Sequence, residues 1–130
     1  MDEPKPPKLP MIFPCSGAAD TGAIGDAAAR RLSARNVAKM YCLAGIGARV
    51  EEIVSNTDVA EALVALDGCD NDCSRKVLEA AGFTPVLHLR ITDLGMTKGQ
   101  TPLTDENIES AAAEVLRRLD GLGGPLPDVD

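Results

Sequence analysis

The sequence predicts an α/β domain in which a small, mainly parallel four-stranded sheet carries helices on both faces. Three observations lead there. Short apolar runs alternate with segments of helical periodicity along most of the chain. The 130 residues fit one domain and contain no internal repeat. Aromatic side chains are confined to Phe13, Tyr41 and Phe83, so a thin core must be built from Ala, Val, Leu and Ile.

Residues 1–8 read as a flexible, proline-rich tail, and 121–130 as a second tail. Between them, 9–120 form the domain. Leu9 to Phe13 is an apolar run and the first expected strand, with Pro14 at its end. A glycine-rich loop, Cys15 to Gly22, leads to a helix from about Thr21 to Arg35, whose Ile24, Ala27, Ala28 and Leu32 recur at helical spacing. Val37 to Leu43 is the second strand, and Ala44 to Gly47 reads as a small-residue loop. A helix begins at Arg49, and Leu63 to Leu66 is a buried strand. The loop Asp67 to Asp72 opens a helix through Ala81, where Gly82 serves as a C-cap. Val86 to Ile91 is the fourth strand. After the loop Gly95 to Thr101, Thr104 caps the last helix, with Asp105 and Glu106 suited to its positive end. Strand–helix alternation of this kind builds a doubly wound sheet, flavodoxin-like or Rossmann-like.

The formal net charge of −7 opposes a phosphate backbone, so nucleic acid is not an expected partner. Arg30–Arg31 and Arg117–Arg118 read as solvated helix faces. No run of about 18 apolar residues exists to span a membrane. Met1 to Pro10 has no apolar stretch of the signal-peptide kind. The expected location is the cytoplasm, where thiols stay reduced and an even cysteine count suggests metal or redox chemistry.

The placement of the four cysteines carries the functional argument. Cys15 follows the first strand, Cys42 ends the second, Cys69 follows the third, and Cys73 starts the next helix. In open α/β sheets the carboxyl ends of parallel strands share one edge, where ligands bind. Three strands therefore deliver thiols to one place. Helix N-termini stabilise thiolates there, and four thiolates suit tetrahedral Zn²⁺ or, second, an iron–sulfur cluster. The bland alternative is that cysteine simply packs in the core, and it fits Cys42 best.

Other residues near that edge have modest readings. The glycines of the 15–26 loop lack a Walker A ending and suit a sharp turn. Cys69 and Arg75 match the cysteine-phosphatase spacing, but Asp70 and Asp72 would repel a phosphate; Arg75 is then a partner for the aspartates or thiolates. His88, the single histidine, reads as a satisfied core residue. Asp20, Asp26 and Asp67 are candidates for caps or for partners of the thiols, with Asp20, Asp67 and Arg75 the likeliest to support the site.

Pro14-Cys15-Ser16-Gly17 with Asp20-Thr21-Gly22, then Cys42-Leu43-Ala44-Gly45-Ile46-Gly47, then Asp67-Gly68-Cys69 with Cys73, resembles the DGC-domain family of zinc-binding proteins. The resemblance runs from about Leu9 to Ile91. It implies zinc held by Cys15, Cys42, Cys69 and Cys73, and it implies no reaction. The competing expectations are a cysteine-based redox or thiolate-transfer enzyme, a soft-metal capture protein, and a module binding a small molecule or protein partner.

Overall fold

The computed structural model describes residues 9–123. The two expected tails, apart from 121–123, lie outside those residues. Four parallel strands form one sheet in the order β2-β1-β3-β4: β1 is Met11–Pro14, β2 Lys39–Met40, β3 Leu63–Asp67 and β4 Leu87–Arg90. Helix α1 is Asp20–Ala34, α2 Leu43–Gly47, α3 Glu51–Asp58, α4 Cys73–Ala80 and α5 Asp105–Gly123. A short 3-10 turn, Ile91–Leu94, follows β4.

The central strands β1 and β3 are buried along their whole length. Side chains alternate between faces along a strand, so two separate cores result. Ile12, Val64, Leu66 and Leu89 meet Ile24, Ala28 and Leu32 of α1 and Ile108, Ala111 and Val115 of α5. On the other face, Met11, Phe13, Leu63 and Ala65 meet Ile46 of α2 and Leu78 of α4, with Ile53 and Val54 of α3 packed alongside. A strand buried on both faces must be apolar throughout, which is why Leu63 to Leu66 reads as an unbroken run. Phe13 and Tyr41 meet edge to face at 6.0 Å.

Three local expectations are corrected. Only Lys39 and Met40 of the second apolar run pair with β1. Ala44 to Gly47 is helical rather than looped, because Cys42 caps its start and the Cβ-less Gly45 lets Ile53 pack close. The last helix also reaches Gly123, past the expected boundary at 120. Thr104 does cap it, accepting from the Asn107 amide at 3.1 Å. Gly82 ends α4 with φ +90, a left-handed conformation that favours glycine.

Candidate functional site

The sheet reverses its winding between β1 and β3, and the crevice at such a point is where ligands bind. Cys15 leaves β1 on one side of that crevice, and Cys69 leaves β3 on the other. A pocket of about 170 Å³ opens between them. Its walls include Cys15, Cys69 and Cys73, the first turn of α1 at Thr21 and Gly22, and Lys98. Three of the four predicted thiols are thus brought to one pocket. Cys42 is not among its walls: it is exposed and caps α2, where its Sγ accepts from the Gly45 amide at 3.3 Å. All four cysteines are free thiols.

The turn Asp67-Gly68-Cys69 has a physical reason for each residue. At Gly68 a Cβ would lie 2.5 Å from the Gly22 nitrogen, so only glycine lets the β3 exit lie against the start of α1. That contact brings the Gly68 amide to donate to Cys15 Sγ at 3.4 Å. Asp67 is 1% exposed and caps α4 from a distance. Its carboxylate accepts from the Ser74 amide at 2.7 Å and the Arg75 amide at 3.3 Å, two of the donors a helix start leaves unmatched. The buried Ser74 hydroxyl donates to the Phe13 carbonyl at 2.7 Å, which pins α4 to β1.

Between Cys69 and Cys73 the chain passes through Asp72, which is left-handed at φ 55 and buried. Arg90, the last residue of β4, donates to it twice, from Nε and Nη2, both at 2.6 Å. Arg75 adds a third bond at 2.9 Å. These guanidinium groups, Arg90 first, hold the Asp72 carboxyl well below the usual carboxylate range, and the Arg90 pKa is raised in return. His88 Nε2 lies 2.8 Å from Asp67 and 3.4 Å from Asp72, tying the two carboxylates together.

The remaining wall comes from the loop after the 3-10 turn. Asp20, in the first turn of α1, accepts from the Gly99 amide at 2.9 Å and the Thr101 amide at 3.1 Å, bonds that lower its carboxyl pKa. The loop so fastened puts Lys98 Nζ 3.5 Å from Cys69 Sγ. The Thr21 hydroxyl, in the pocket wall, is buried with no hydrogen-bond partner among the described residues. Burial pushes the Cys15 thiol pKa up, against the lowering by the Gly68 and Ser16 amides, and the charges of Asp67 and Cys73 add to the rise.

Several expectations take definite form here. Asp67 is a cap, Asp20 a loop anchor, and Asp26 an ion-pair partner of Arg30. Arg75 binds Asp72 and Glu79 and stays out of the pocket, so the phosphatase spacing has no phosphate cradle behind it. Among the described residues, the three ligating side chains whose donor atoms lie within 4.8 Å of one another are Asp67, Asp72 and His88; the sulfurs enter no such group. Arg90, Asp72, His88 and Lys98 escape sequence reasoning as site residues. Their one signal is that 88, 90 and 98 flank the carboxyl end of the fourth strand.

With this geometry in hand, comparison with known proteins is direct. The model of the DGC domain matches residues 11–115. The chain belongs to the DGC-domain family. It is 32% identical over 90 residues to the "Anaerobic and virulence modulator AnvM" of Pseudomonas aeruginosa, covering 69% of each chain. No solved structure matches it. The triplet that names the family, Asp67-Gly68-Cys69, is the turn at which the cap, the close backbone approach and a pocket thiol coincide.

Proposed function

We propose that this DGC-domain protein binds zinc through Cys15, Cys69 and Cys73, with Cys42 as the fourth ligand, and that the centre serves a structural or modulatory role. The observation that carries the reading is the convergence of three thiols, from two strand ends and one helix start, on the pocket at the winding reversal. The donor set fits: sulfur ligands select soft or borderline cations, and a structural zinc takes four of them. Tetrahedral ligation at about 2.3 Å requires the sulfurs to draw closer together, since no three of them among the described residues lie within 4.8 Å of one another. Cys42 must also turn inward; its exposed sulfur accepts from the Gly45 amide, while Gly45 and Ile46 of the same helix are buried. Four free thiols suit the reducing cytoplasm, and no helix among the described residues is long and apolar enough to cross a membrane. The relative's name, a modulator, is in keeping with a modulatory role.

The test is metal content beside thiol access. Protein from a zinc-supplied host is expected to carry about one zinc per chain and to resist alkylation until chelated. A folded, metal-free protein whose thiols react freely under those conditions would overturn the reading.

One contact favours a second reading. Lys98 Nζ, 3.5 Å from Cys69 Sγ, sets a cation beside an accessible thiol and so suits a redox or thiolate-transfer role. In that case Cys69 would be alkylated equally with or without chelator.

A further inference from the structure

Arg90 and Asp72 sit outside the set of thiols, yet they fix the chain segment that carries two of them. Asp72 is the residue before Cys73 and three after Cys69. It adopts φ 55, a left-handed conformation uncommon outside glycine but open to Asp and Asn. The surroundings here are the paired 2.6 Å bonds from Arg90, the bond from Arg75, and His88 at 3.4 Å. Asp67 secures the other end of the same segment through the Ser74 and Arg75 amides, and His88 joins both carboxylates. Two of these groups, His88 and Arg90, belong to β4, the one strand not followed by a cysteine.

We infer that β4 contributes to the site indirectly, with Arg90 acting through Asp72 as a positioning pair that presets the Cys69–Cys73 segment for a thiophilic cation. A paired fork on a buried carboxylate sets orientation as well as distance, which a single lysine contact cannot do. Outer partners of this kind typically change metal affinity by about 10- to 100-fold when lost. Among the described residues, the segment leaving β2 has no such arginine–aspartate pair, and the exposed Cys42 sulfur accepts from the Gly45 amide. The cation half of the inference rests on the zinc reading; the positioning half does not.

The experiment uses the full chain with Asp72→Asn, which keeps the side-chain shape and a left-handed preference but removes the charge, and Arg90→Lys, which keeps the charge but removes the fork. Amide hydrogen exchange is measured on metal-free protein, and zinc affinity by competition with a chromophoric chelator. Expected are at least about tenfold faster exchange at Ser74 and Arg75, with Ile12, Ile24 and Val64 unchanged, and zinc affinity weaker by about tenfold or more. Cys42 alkylation should be unchanged in the metal-free samples. If exchange at 74 and 75 is unaltered in both variants, or rises uniformly with that of the core, the pair does not position this segment. If parent protein binds no zinc, the zinc reading fails by itself, and the exchange data still decide the positioning claim. Altered exchange with parent-like zinc affinity would overturn the link from position to binding.

Discussion

Two segments of this molecule do the same thing topologically and are built in opposite ways. Each leaves a parallel strand and presents a cysteine at a helix start: Cys42 before α2, Cys73 at the head of α4. The α4 start is braced by buried carboxylates, two arginines, a histidine and a serine that bonds β1. The α2 start is exposed and five residues long, and its cap is the thiol itself. The contrast teaches that a sheet edge can gather thiols without treating them alike. Three line one pocket, and the fourth stands exposed outside it.

The sharpest way to break the contrast is at Gly68. Gly68→Ala places a carbon against the backbone of Gly22, where nothing can yield cheaply, and overpacking of that kind costs about 3 kcal/mol or more. Urea denaturation should register the loss, together with free access to Cys15. A neutral result would mean that the two turns do not need to touch. Next in size is Ser74→Ala, which leaves the Phe13 carbonyl without its buried donor and should cost about 1–3 kcal/mol by the same measurement. Cys42→Ala in metal-free protein removes only a weak cap and should cost less than about 1 kcal/mol. Equal losses at residues 42 and 74 would erase the distinction between braced and free segments.

The smallest effect lies away from the site, where Glu109 of α5 joins Arg31 of α1 and Arg35 just past its end at 2.7 Å each. Those guanidinium groups, Arg35 first, hold its carboxyl down to about 2, from an ordinary 4.5. The folded value is the lower one, so the contribution is present above 4.5 and is lost as pH falls toward about 2. Glu109→Gln should flatten the acid slope of stability slightly, and added salt should do the same, because the pair is exposed. A slope unchanged by the substitution would remove this pair from the acid response.

How far the fold could be read in advance follows from the kind of signal each element carries. β3 declares itself because both its faces are buried, and α5 because Thr104 and an apolar stripe mark it. The segment at Ala44 to Gly47 misleads because glycine and alanine signal a loop, while a thiol cap and Ile53 make it a turn of helix. The convergence of Cys15, Cys69 and Cys73 could be foreseen from strand order alone. The exclusion of Cys42 from the pocket could not, since it depends on where a five-residue helix starts. Nor could the Asp72–Arg90 pair, which joins two strand ends through one left-handed residue and leaves no periodic trace.

X-ray absorption at the zinc edge, on the zinc-loaded chain and its Cys42→Ser variant, addresses the central claim most directly. Four sulfurs at about 2.3 Å are predicted for the parent, and three sulfurs with one lighter ligand for the variant. Fewer than three sulfurs around the parent's zinc, or a shell dominated by oxygen and nitrogen, would contradict it.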